Sequence, residues 1–104
     1  MVLSVYKYNI HPDKVEAYTK WTQSAIPRLI AVKGLVEFRA YRSAAGTHRM
    51  VVTYEFADMA AWASWQTHEN VQKVLDELYT FATDVTSEVW GPSPVVPKPI
   101  RPGK

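Results

Sequence analysis

The chain of 104 residues contains no cysteine. That excludes disulfide scaffolds, thiolate nucleophiles and cysteine-bound zinc or iron–sulfur centres. Glycine is nearly as scarce, at four residues. None of the four belongs to a glycine-rich loop of the kind that cradles phosphates, so no nucleotide cofactor is expected. The three histidines are His11, His48 and His68. No two of them stand four apart on a helix, and the sequence offers no metal site. Ser43 and Ser64 lack the elbow motif of a serine hydrolase. No apolar run reaches the roughly 18 residues of a membrane span. The opening Met1–Lys7 lacks the basic-then-apolar layout of a secretory signal, so a cytoplasmic protein is expected.

Positive charge is also short once its position is considered. Lysine and arginine number 12 against 10 acidic residues. Lys98, Arg101 and Lys104 all lie near the end, and without these three the rest carries a net −1. The remaining basic residues form no run, which argues against a nucleic-acid surface.

Aromatic residues are plentiful, with four Trp, six Tyr and three Phe. They suit a core, an interface or a ligand pocket. Proline is concentrated at one end: five of the seven (Pro92, Pro94, Pro97, Pro99, Pro102) follow Gly91. Proline has no amide proton and a fixed φ, so residues 92–104 read as an extended tail behind a domain at 1–91. Its apolar residues Val95, Val96 and Ile100 predict a tail ordered against the body, across an interface between two copies.

Up to Gly91 the pattern reads strand, helix, strand, strand, helix, strand. Val2–Ile10 is rich in β-formers. Asp13 and Glu16 resemble an acidic capping box. After them Val15, Tyr18, Thr22, Ala25, Ile26 and Leu29 recur at helical spacing, with Pro27 expected to kink the helix and Gly34 to stop it. Leu35–Arg42 and His48–Phe56 read as a hairpin around Ser43–Thr47. Strict alternation puts His48, Met50, Val52, Tyr54 and Phe56 on one face. Asp58 caps a short helix bearing Trp62 and Trp65, which breaks at Thr67–Glu69. A second amphipathic segment carries Val71, Val74, Leu75, Leu78, Phe81 and Ala82, and Val85–Trp90 is the last strand.

The order βαββαβ predicts an α+β, ferredoxin-like sheet with both helices on one face. The strands nonetheless carry apolar residues on both parities (Leu3 and Val5 against Tyr6 and Tyr8). A homodimer packed through its sheet faces is therefore expected.

The segment Tyr54-Glu55-Phe56-Ala57-Asp58-Met59-Ala60-Ala61-Trp62 and the helix entry Asn9-Ile10-His11-Pro12-Asp13 resemble the antibiotic biosynthesis monooxygenase-like superfamily. The resemblance covers about residues 2–90 and implies a dimeric α+β barrel. Within it, the heme-degrading branch would need an Asn where Lys7 stands and an axial His where Val74 stands, so only Trp65 matches. The cofactor-free oxygenases of quinols and anthrones share a looser set, which Trp65 and Asn70 match. The resemblance thus implies a cofactor-independent monooxygenase acting on a small phenolic or quinol-type aromatic, in a pocket between sheet and helices.

Under that reading His48 or His68 is the base, Asn70 and Trp65 donate hydrogen bonds, and Tyr54, Trp21 and Trp62 line the pocket. The residues themselves leave a second reading open. His48 suits a hairpin end, His68 and Asn70 suit a helix start, and the tryptophans suit a core. The protein would then be a non-catalytic, dimeric small-ligand-binding or stress-type protein of the same fold.

Overall fold

The computed structural model describes residues 1–103. Strand β1 (Val2–Ile10) leads through a 3-10 turn at Pro12–Lys14 into helix α1 (Val15–Ile30). The hairpin β2 (Glu37–Arg42) and β3 (Met50–Phe56) follows, then α2 (Met59–Gln66), α3 (Glu69–Leu78) and β4 (Ala82–Trp90). The four strands form one antiparallel sheet in the order β2-β3-β1-β4. This is the ferredoxin-like arrangement, with the second helix divided in two.

One face of the sheet meets the helices. Val2, Tyr6 and Tyr8 of β1 and Val52, Tyr54 and Phe56 of β3 are buried there with Tyr18, Ala25 and Leu29 of α1 and Val71, Val74, Leu75 and Leu78 of α3. The alternation of β3 is thus the reading that places its side chains. The other face carries Leu3, Val5 and Lys7, with Val51, Thr53 and Glu55 opposite them on β3 and Glu88 and Trp90 on β4. At the centre of this face Val5 and Thr53 are buried, whereas Tyr41 and Trp90 towards its edges stay about half exposed.

Several boundaries differ from the sequence reading. The Asp13–Glu16 box makes no side-chain cap, because Pro12–Lys14 forms a separate 3-10 turn before α1 begins. Lys14 closes that turn from the other side, its Nζ donating to the Thr80 carbonyl at 2.7 Å. Pro27 lies inside α1, which continues to Ile30, so the stop precedes Gly34. Gly34 instead takes φ +112° in the following turn, beside the Ala61 carbonyl. That region of backbone is open to glycine at little steric cost. Asp58 caps α2 as its position predicts, Oδ1 accepting from the Ala61 amide at 2.8 Å.

Residues after Leu78 turn out of the helix earlier than their apolar spacing suggests, and Ala82 already pairs with Ile10. Strand β4 then carries one extra residue against β1 between the pairs Lys7–Thr86 and Asn9–Thr83. Asp84 sits in that bulge at φ +56°, the one non-glycine residue with positive φ among those described. A bulge inserts a residue without a partner, and the left-handed conformation absorbs the turn.

Within a single chain the tail leaves most of its apolar surface exposed, with Val96 about half exposed. Val95 and Ile100 are 85% and 79% exposed. Its local order comes from Ser93, whose Oγ accepts from the Val95 and Val96 amides at 3.1 Å each. Lys104 lies outside the described residues. Among those described, no helix is long and apolar enough to cross a membrane.

Candidate functional site

Between α1, α3 and the inner face of the sheet lies a cavity of about 270 Å³. The apolar stripe of α1 supplies one wall through Tyr18, Thr22, Ala25, Ile26 and Leu29. Sheet residues Tyr8, Phe38, Met50, Val52 and Tyr54 supply the opposite wall, and Trp21 with Val74, Leu75 and Leu78 completes it. The wall is therefore aromatic and aliphatic, with a few hydroxyl groups, as a small-molecule site usually is.

Those hydroxyls are its chemistry. Tyr8 and Tyr18 face each other across the gap between sheet and helix, their oxygens 2.6 Å apart and buried. One proton bridges the pair, leaving the accepting tyrosine with a proton to donate elsewhere. Burial raises both hydroxyls above the ordinary phenol value, and Tyr54 beside them likewise. All three consequently remain protonated donors at any physiological pH.

The rings are held by their neighbours. Tyr18 packs against Trp21 and Phe81, with centroids 5.9 and 6.3 Å away. Tyr54 lies against Phe38 at 5.2 Å and Trp65 at 4.9 Å. Trp21 is fixed by donating its Nε1 to Glu77 Oε1 at 2.7 Å. The same carboxylate accepts both Arg28 nitrogens at 2.8 Å. Those hydrogen bonds, Arg28 first and Trp21 second, hold Glu77 down at about 2. The group ties α1 to α3 and orients the Trp21 ring.

The structure places the expected site residues in two groups. Tyr54 and Trp21 line the cavity. Trp65 does not: it is 1% exposed and packs between Tyr54 and Phe56, donating Nε1 to the Leu29 carbonyl at 3.3 Å. It supports the wall from behind. Trp62 is part-buried on α2, away from the wall, with its Nε1 unpartnered among the described residues. One turn on, Gln66 donates to the Tyr6 hydroxyl at 3.1 Å.

His48, His68 and Asn70, expected to provide the base and the donors, all stand outside the cavity. The alternation of β3 begins only at Met50, so it does not carry His48 onto the inner face. His48 Nε2 instead donates to the Asp84 carbonyl at 3.0 Å, at the bulge. His68 caps α3, its Nδ1 accepting from the Asn70 amide at 3.1 Å. Asn70 occupies the exposed first turn of that helix. Tyr8, Tyr18 and Phe38 were not singled out from the sequence. The available signal was a hydroxyl-bearing ring within each of two apolar stripes, at even parity on β1 and on the buried side of α1.

The family model for antibiotic biosynthesis monooxygenases matches residues 1–77, which takes in every element from β1 through most of α3. The chain belongs to this family. No curated protein matches it. A family relationship of this breadth carries the fold, while each chemistry depends on its own site.

Among solved structures, a dabb-family protein from Mesorhizobium loti with a ferredoxin-like fold superposes with a TM-score of 0.78 at 18% identity, over 88% of this chain and 96% of that one. A candidate antibiotic biosynthesis monooxygenase from Deinococcus radiodurans gives 0.77 at 11% identity, over 100% of both chains. A dimeric ferredoxin-like protein of unknown function from Thermobifida fusca gives 0.71 at 13% identity, over 86% and 88%. At such identities the likeness is one of fold.

Proposed function

We propose that this member of the antibiotic biosynthesis monooxygenase family takes a small phenolic or quinol-type aromatic into the cavity and oxygenates it without a cofactor. The observation that carries the reading is the Tyr8–Tyr18 hydroxyl pair set in an aromatic wall. A flat ring fits between Tyr54, Phe38 and the α1 stripe, and its oxygen meets the free proton of the pair. Two coupled tyrosines polarise each other, which strengthens the bond to an aryloxide. Because burial keeps them protonated, they stabilise that anion without giving up a proton to it. The ligand enters as the aryloxide already ionised in solution, its proton left with the solvent until water forms, and this anion is the electron donor to O₂. One phenol and one O₂ yield one quinone and one water: the ring C–H and O–H bonds and the O–O bond break, and a new C=O bond forms.

Oxygen uptake with a panel of hydroquinones and anthrones tests this. Tyr8→Phe and Tyr18→Phe are each expected to lower kcat by about 100- to 1,000-fold, the usual cost of one oxyanion donor. Uptake unchanged in both variants would remove the pair from the chemistry.

A second reading has its own observation. No His, Asp or Glu lines the cavity among the described residues. A non-catalytic binding protein needs none, and tight aromatic binding without any oxygen uptake would decide for it.

For the assembly we propose a homodimer through the outer sheet face, with the tail of one copy lying on the other. The dimeric relative of the same fold supports this, as do the uncovered Tyr41 and Trp90 and the exposed Val95 and Ile100. Sedimentation is expected at twice 11.8 kDa. Deleting residues 92–104 is expected to lower the Tm and make it depend more on concentration. A truncated protein that melts and sediments like the full chain would reduce the tail to an appendage.

A further inference from the structure

The tyrosine-lined cavity has a neighbour of different character. A hollow of about 580 Å³ adjoins it, and Tyr18, Thr19 and Met50 belong to both walls. Its remaining wall is Ile10, Pro12 and Val15 on one side and Arg42 and Arg49 on the other, with no acidic residue. Arg28 and Arg39 each grip a glutamate elsewhere in the chain, Glu77 and Glu37 respectively. Arg42 and Arg49 have no ion pair and no side-chain hydrogen bond among the described residues. Two unneutralised guanidinium groups therefore stand beside the tyrosine-lined cavity.

Their placement is built into the hairpin. Arg42 ends β2 directly opposite Met50, which puts it on the helix-facing side of the sheet. Arg49 is pinned at both backbone polar groups: its amide donates to Asn9 Oδ1 at 2.8 Å, and its carbonyl accepts from the Ser43 amide at 2.9 Å. The side chains project from a fixed frame, so less ordering is needed when an anion binds.

Resting on the proposal that the cavity holds an aromatic ring, we infer that Arg42 and Arg49 form a second subsite, for a carboxylate carried by that ring. The ligand is an aromatic acid: its ring lies among Tyr8, Tyr18 and Tyr54, and its carboxylate reaches past Tyr18 into the hollow. A planar guanidinium presents paired donors that match the two carboxylate oxygens, and an apolar wall alongside strengthens the attraction relative to open water. The pair selects among aromatic molecules of equal size by charge.

Calorimetric titration of the full-length protein with 2-naphthoate and with its uncharged counterpart, 2-naphthamide, tests the assignment. The acid is expected to bind at least about tenfold more tightly, as one charge-assisted contact provides, and to lose that advantage in high salt. The double variant Arg42→Ala/Arg49→Ala is expected to bind both probes with the affinity of the amide. Both arginines are exposed, and an unchanged melting curve for that variant shows that the fold is kept. Equal binding of acid and amide by the unaltered protein overturns the subsite while leaving the aromatic cavity standing. So does a preference for the acid that survives the double substitution, since the charge is then read elsewhere. If neither probe binds, the cavity reading falls together with the subsite.

Discussion

Replacing Trp65 by alanine is expected to cost about 3–5 kcal/mol of stability, the range for removing a large aromatic from a packed core. Trp65 is 1% exposed, with ring centroids of Tyr54 and Phe56 at 4.9 and 5.2 Å. Its indole N–H also ties α2 to the end of α1 through the Leu29 carbonyl. The truncation would leave a void behind Tyr54 and take the side-chain donor from the Leu29 carbonyl, which keeps the Val32 amide at 3.3 Å. A domain of this size has only about 5–15 kcal/mol in total, so the variant should be marginal at physiological temperature. Trp65→Phe keeps most of the buried surface and loses the hydrogen bond, so a smaller loss of about 1–2 kcal/mol is expected. Urea unfolding at one fixed protein concentration measures both. A loss below about 1 kcal/mol for the alanine variant would mean that Trp65 does not hold the wall of the cavity.

The second large effect is on binding. Ala25 is 1% exposed and sits on the α1 face of the cavity. Ala25→Phe projects a ring into a space of about 270 Å³, taking up room that a planar ligand needs. Affinity for a naphthalene-sized aromatic is expected to fall at least about a hundredfold, equivalent to about 2.7 kcal/mol. Stability should suffer little by comparison. Inserting a ring into a filled core commonly costs about 1–3 kcal/mol, whereas here the void receives it. Ala25→Leu is the milder companion if the larger residue prevents folding. Calorimetric titration beside a melting curve separates the two effects. Undiminished binding in a folded Ala25→Phe protein would place the ligand somewhere other than between α1 and the sheet.

Much of this architecture is legible in the residues because it rests on local periodicity. Alternation along β3 and the 3.6-residue stripe of α1 identify which side chains turn inward, and Asp58 starts α2 as its type and position predict. These patterns reflect backbone geometry, which repeats within each element. The boundaries are less legible where tertiary pairing competes with a local signal. Ala82 continues an apolar helical pattern but pairs with Ile10, since an extra turn of helix would leave β1 without its neighbour. The Asp13–Glu16 box is unused because Pro12–Lys14 closes into a separate turn, held by the Thr80 carbonyl.

The chemistry of the site divides along the same line. Residue types and spacing alone determined the four-stranded α+β order, the family resemblance, the proline-rich tail and a pocket wall that includes Tyr54 and Trp21. Only the tertiary structure decided which polar groups meet in that pocket. Tyr8 and Tyr18 are ten residues apart on different kinds of element, and their hydroxyls come within 2.6 Å because α1 folds back across β1. His48 and His68 had the right chemistry for a base, but each is drawn to a nearer backbone partner, the Asp84 carbonyl and the Asn70 amide. A hydrogen bond of this kind depends on distance in space, which the order of residues along a chain does not encode beyond a few positions.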